Sequence, residues 1–224
     1  MAQNPVMRGV DIERFVFFRS GYGRDPKQAY CYGRRLAGSR GISFRPLNFC
    51  YHTDGVNVWT VGGVLQGVDI GTFAVCDRGF RKLGRGERVP SGYAKDQVQV
   101  CYYGFEGRAS ALRAAEAATF ESVGDCVFAR DARRVFCRKK TLKKADPGTW
   151  RIVLGQYSRD AHRAFYDDRE MPGVAPGRLS VHPLSEGWIQ LAEAGGVFYR
   201  NDTVISEETY RQTVRKHNLP SKRG

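Results

Sequence analysis

The chain predicts an all-β fold: tandem short β-hairpin repeats, curved or closed as a propeller-like or solenoid-like array, with a C-terminal capping helix. Three observations carry that expectation. First, one spacing recurs, in which an acid is followed by Ala or Val four positions on, an aromatic five on and an aliphatic eleven on. Asp25 leads to Ala29, Tyr30 and Leu36, and Asp54 to Val58, Trp59 and Leu65. Asp131 leads to Val135, Phe136 and Leu142, and Asp160 to Ala164, Phe165 and Met171. Asp96 fits the start of the pattern with Val100 and Cys101, and Glu193 fits it with Val197, Phe198 and Val204. Second, the residues after each acid form short β-branched and aromatic runs, such as VNVWTV (56–61) and VQVCYYG (98–104). Third, the acid sits between two such runs, where an Asp side chain bonds its own backbone two residues on and closes a tight turn.

The elements follow in order within a single repeat domain, 1–224. Residues 1–20 supply an opening strand around VFF (16–18), and six repeats fill 21–205. Each repeat of about thirty residues is expected to hold two or three short strands and a small helical or turn segment. That segment is clearest in ADPGTW (145–150), with Asp146 as cap and Pro147 at the first helical position. The third copy has SALRAAEAATF there instead, which reads as helix-rich. The stretch 77–92 is rich in Gly and Arg and reads as an exposed basic loop. A helix is expected over 206–218, with Ser206 as cap, Glu207 and Glu208 in the first turn and basic residues at the end, matching the helix dipole.

A chain of 224 residues with 42% hydrophobic content needs no metal or disulfide to hold its core. No segment approaches the ~20 apolar residues of a membrane span. The N-terminus lacks the features of a secretory signal, so a cytoplasmic location is expected. Six cysteines are never closer than eleven residues, which argues against a zinc site. Their even count permits three disulfides. Cys31, Cys101 and Cys137, however, fall in or beside aromatic slots, where free buried thiols serve as small hydrophobes. No cofactor is expected.

The segments GYGRDPKQAYCY (21–32), GYAKDQVQVCYY (92–103), FARDARRVFC (128–137) with ADPGTWRIVL (145–154), and QYSRDAHRAFY (156–166) resemble the bacterial DKNYY family, named for tandem units of the type K-D-K-N-x-V-Y-Y. The resemblance covers about residues 21–205. The Asn after the acid is missing, and Cys enters aromatic slots. The resemblance implies a bacterial, repeat-built, non-enzymatic protein. Some similar proteins are encoded beside polymorphic toxins, where small proteins bind and neutralise a cognate toxin.

No residues fall into a recognisable catalytic setting: there is no G-x-S-x-G, H-E-x-x-H, P-loop or EF-hand pattern. His52 and His162 lie two residues from repeat acids and read as residues on solvated turns. The repeat acids read as turn-closing side chains, and the repeat aromatics as core in preference to base-stacking platforms. The net charge of +13 is the main partner signal, pointing to polyanions or acidic protein surfaces. Its densest clusters give the candidate partner-binding residues Arg78, Arg81, Lys82, Arg85 and Arg88, with Arg138, Lys139 and Lys140 at a hairpin tip. The function expected is that of a cytoplasmic immunity protein with no enzymatic activity, which occludes a toxin bearing an acidic surface. The alternative is a nucleic-acid-binding protein without sequence preference; no membrane partner is expected.

Overall fold

The computed structural model describes residues 9–82, 86–104, 106–124, 126–182 and 190–218, and it is all-β with one C-terminal helix. Each repeat is a four-stranded antiparallel meander. The first sheet is Val16–Phe17, Tyr22–Arg24, Ala29–Cys31 and Arg34–Arg35. The second is Arg45–Pro46, His52–Thr53, Val58–Thr60 and Gly63–Val64. The third is Ala74–Val75, Gly92–Lys95, Val100–Tyr103 and Ala109–Ala111. The fourth is Glu121–Val123, Phe128–Arg130, Val135–Cys137 and Lys140–Thr141. The fifth is Arg151–Leu154, Tyr157–Arg159, Ala164–Tyr166 and Arg169–Glu170. The sixth is Leu179–His182, Leu191–Ala194, Val197–Arg200 and Thr203–Ile205.

The acids of the first five repeats lie in the turn between the second and third strands, as the spacing predicts, whereas Glu193 lies within the second strand of the sixth sheet, opposite Phe198. The unit nevertheless holds four strands, not two or three. The extra strand opens each sheet at its edge and is as short as Arg45–Pro46, too brief and too mixed in composition to carry a periodic signal. SALRAAEAATF also departs from expectation. Its start is an edge strand, with Ser110 opposite Tyr102, and Leu112 N–H bonds the Val100 carbonyl at 2.7 Å before the chain continues in turns. Pairing to a buried neighbour overrides helix propensity there. The 77–92 stretch is a correction too. It carries a two-stranded hairpin, Phe80–Lys82 with Arg88–Pro90, between the first two strands of the third sheet. Its base is fixed by the Asp77 carboxylate, which accepts from the N–H groups of Gly79 and Tyr93 at 2.9 Å each.

The residues group into two compact units, Met1–Phe80 with Pro90–Arg113, and Arg81–Val89 with Ala114–Gly224, each holding three of the six sheets. Within each unit neighbouring sheets share cores. Tyr22, Ala29, Cys31, Leu36 and Phe44 of the first repeat enclose Trp59 of the second sheet. Cys50, Tyr51 and Val58 pack on Ala94 and Tyr103 of the third. In the second unit, Phe128, Val135 and Cys137 meet Trp150 and Phe165, while Tyr157, Ala164 and Tyr166 meet Ala192, Ala194 and Tyr199. Period-two alternation explains this: Ala164 and Tyr166 face the sixth sheet while Phe165 faces the fourth. The third strands of the first five sheets are therefore buried on both faces.

The sixth sheet is covered by the helix Glu207–Asn218, the capping helix expected over 206–218. The Ser206 hydroxyl caps it by accepting from Thr209 N–H at 3.2 Å. Tyr210 lays its ring 4.9 Å from that of Phe198, and Arg200 donates to the Thr213 hydroxyl at 2.9 Å.

Candidate partner-binding site

The repeat acids recur in regular register, and hydrogen bonding accounts for them. One oxygen of Asp54, Asp131 and Asp160 accepts from the N–H groups two and three residues on, at 2.6–3.1 Å. The other accepts from the connector that enters the same sheet: Arg40 N–H to Asp54, Glu116 N–H to Asp131 and Asp146 N–H to Asp160, at 2.9–3.2 Å. Asp25 and Asp96 repeat the arrangement with Asp11 and Asp69. Burial alone would raise these carboxyls, but the donors outweigh it and hold Asp25, Asp54 and Asp96 below the ordinary carboxylate range. Glu193 keeps only the turn bond, to Gly196 N–H at 3.0 Å. The acids are structural turn staples that also pin the incoming connector.

Two further clamps complete the joint. The hydroxyls of Thr72, Thr119 and Thr149 in the connectors accept from the N–H that follows the acid, in Gln97, Ala132 and Ala161, at 3.0–3.2 Å. The side chain three residues after the acid reaches back to a connector carbonyl: Arg134 to Ala114 at 2.7 Å, Arg163 to Lys144 at 2.8 Å, and Gln99 to Gly67. Part of the basic composition is thus consumed within the fold.

Thiols and imidazoles offer little nucleophilic character. None of the six cysteines is in a disulfide; five are buried and Cys76 is half-buried. Burial pushes Cys76 up to about 12 and Cys101 to about 11, far from a thiolate at neutral pH. Among the described residues no group of three His, Cys, Asp or Glu side chains is placed to hold a metal ion. His162 is exposed on its turn, as expected, but His52 is not: it is 0% exposed, inside the first unit. An open groove of about 270 Å³ runs past Thr119, Arg130, Asp131 and Pro147. Its polar groups are already engaged, Arg130 with Glu121, Thr119 with Ala132 N–H and Asp131 as above.

The predicted partner-binding residues fall in two places. Arg78 is exposed at the hairpin base, its guanidinium 4.9 Å from the Phe80 ring centroid and its Nε donating to the Phe80 carbonyl at 3.2 Å. Lys82 closes the outgoing strand and Arg88 opens the return strand, both exposed, while Arg81 between them is half-buried. Arg85 lies outside the described residues. Arg138 begins the tight turn of the fourth sheet with φ 53°, and its guanidinium bonds both carboxylate oxygens of Asp167 at 2.6 and 2.7 Å. Lys139 is exposed at the tip, and Lys140 pairs with Asp168. Arg169 and Asp202 make the equivalent pair one repeat on, at 2.6 Å. Arg138 and Lys140 are therefore engaged in bonds between neighbouring sheets. Arg81 and Arg138 each act electrostatically on Tyr166. Burial and nearby carboxylates push that hydroxyl up to about 12 against their opposing pull. Sequence reading missed Asp167, Asp168 and Asp202 because they lie at tight turns, where acidic residues look merely solvated.

The DKNYY family model matches residues 87–169, the stretch holding the third, fourth and fifth repeat acids and most of the fifth sheet. The resemblance to the DKNYY family is borne out over that stretch. Neither a curated protein nor a solved structure matches the chain. Among the described residues no helix is long and apolar enough to cross a membrane.

Proposed function

We propose that this DKNYY-repeat protein is a non-enzymatic bacterial binding protein, an immunity protein that occludes a cognate antagonism toxin through an acidic surface on the toxin. The observation that carries the reading is an imbalance in where charge resides. At least five of the 23 carboxylates, Asp25, Asp54, Asp96, Asp131 and Asp160, are buried in repeat turns, while Arg78, Lys82 and Arg88 stand exposed on an inserted hairpin. The inserted hairpin therefore presents cations outward while these five acids are turned inward. Such a surface steers an acidic partner and rejects a basic one. A toxin that degrades nucleic acid presents a basic active surface and fits poorly.

The second reading, nucleic-acid binding without sequence preference, rests on the same cations. It draws no support from the repeat aromatics, since Tyr30, Trp59, Tyr102, Phe136 and Phe165 are at most 2% exposed and offer no stacking platform. The test is a pull-down from native lysate with and without nuclease, repeated with Arg78, Lys82 and Arg88 all changed to Glu. The immunity reading expects one protein partner that survives nuclease and moderate salt and is lost by the triple variant at unchanged thermal stability. Recovery that disappears with nuclease, or binding that falls steeply with salt, favours nucleic acid and defeats the immunity reading.

A further inference from the structure

His52 departs from the repeat pattern. It stands two residues before the repeat acid, a slot held by Gly23, Ala94, Ala129 and Ser158 in four other copies. A ring where its counterparts carry little or no side chain must fill the space toward the neighbouring sheet. The imidazole lies 3.7 Å, centroid to centroid, from the Tyr22 ring at an interplanar angle of 23°, and 5.6 Å from Phe44 at 15°. It is fully buried, and neither ring nitrogen has a hydrogen-bond partner. Buried polar groups are nearly always satisfied, so two orphaned nitrogens on one ring are an exception that calls for a reason.

The surroundings offer nothing to stabilise a positive imidazole. From the first sheet it faces Tyr22, whose hydroxyl burial pushes far above its usual value, with Cys31, Cys50 and Tyr103 around that hydroxyl. From the connector it faces apolar Phe44, and on its own sheet it stands opposite Trp59. Arg24 shares the face of Tyr22 by strand alternation and is a cation. The carboxylate nearest in sequence, Asp54, has its oxygens taken by the N–H groups of Val56, Asn57 and Arg40.

We infer that His52 is an acid-sensitive latch: it holds the first and second sheets together while neutral, and taking up a proton opens that junction. Burial lowers its folded-state value to about 3 from an ordinary 6.5, so the unfolded chain binds the proton more readily. The stability His52 contributes is complete above pH 6.5 and falls as pH drops toward 3. Between pH 7 and pH 5 the folding equilibrium constant of this region should fall about 25-fold from this group alone.

The experiment is NMR on the full chain from pH 7 to pH 4.5, following the His52 ring signals and the hydrogen-exchange protection of the Cys31 and Thr53 amides, corrected for intrinsic exchange. The same amides are followed in His52→Phe, which keeps a stacked ring, and in His52→Ala, which matches Ala94 and Ala129. Expected are a His52 ring that stays neutral in the folded protein and wild-type protection falling about 25-fold from pH 7 to pH 5. Most of that fall should be absent in whichever variant folds. A His52 ring that titrates near pH 6 while the fold persists overturns the latch, and so does an equal loss of protection in the variants.

Discussion

The two units share one repeat skeleton and join their sheets differently. In the first unit the joint between sheets one and two is a stack of buried rings, Tyr22, His52 and Phe44, with Trp59 beside it. In the second unit buried contacts such as Phe128 on Trp150 are supplemented at the tight turns by ion pairs from sheet to sheet: Arg138 with Asp167, Lys140 with Asp168 and Arg169 with Asp202. The acid-and-connector joint is common to both. The difference teaches that the repeat fixes the sheet, while adhesion between sheets is free to vary in chemistry. It also makes the units respond to different conditions: the ring stack to protons, the ion pairs to salt.

The common joint gives the largest expected effect. Asp54→Ala in the first unit and Asp131→Ala in the second each strand three N–H donors that now meet a charged acceptor. Each should cost about 4 kcal/mol in denaturant unfolding, with the two values agreeing within about 1 kcal/mol. A wide disparity would mean that the joint is not shared after all. Next comes a position where the connectors differ. A Cβ on Gly41 would sit 2.1 Å from the Asp25 carbonyl oxygen and 2.3 Å from Gln28 N, both main-chain atoms. Gly41→Ala should therefore cost about 3 kcal/mol. Pro147 holds the matching place in the second unit on the wall of an open groove, and Pro147→Ala should cost less than about 1 kcal/mol.

Acid sharpens the contrast further. Asp25, Asp54 and Asp96, all in the first unit, have carboxyls lowered below their ordinary value. The stability they contribute is present above the unfolded value of about 4 and lost as pH falls through the lowered folded values. Circular dichroism melts should accordingly drop steeply below pH 4, over and above the His52 effect at higher pH. A melting temperature flat from pH 5 to pH 2.5 would contradict this. The smallest effect belongs to the turn ladder. Burial would raise the Asp167 carboxyl, but the Arg138 guanidinium holds it below the usual range. Asp167→Asn should cost about 1 kcal/mol at low salt, and that difference should shrink in ~1 M NaCl. A cost unchanged by salt would show that packing, not charge, holds those turns.

Much of the local architecture was legible. The acid two to four residues before an aromatic run marks the hairpin turn, and the aromatics at that slot are core. Other regularities stood in the sequence unread. Phe15 is the aromatic four residues after Asp11, as Phe73 follows Asp69 and Trp150 follows Asp146, so the connector unit begins before residue 21. Gly38, Gly67 and Gly173 stand thirteen residues after their acids with positive φ, and Lys144 adopts the same left-handed conformation without being glycine. The basic candidates were only half legible. Charge density finds Arg78 and Arg138 equally, yet one lies on an exposed hairpin and the other is bonded to Asp167 from the next repeat.

By itself the sequence determined where the chain turns, which slots carry rings and where the capping helix starts, because each depends on contacts within a few residues. Only the tertiary structure decided which cations bond across repeats, why SALRAAEAATF pairs as an edge strand, and that His52 is sealed among rings. Those outcomes depend on partners 29 or 30 residues away for Arg138 and His52. Whether such a group meets a carboxylate, an aromatic face or water is set by how neighbouring sheets pack, which no local pattern encodes.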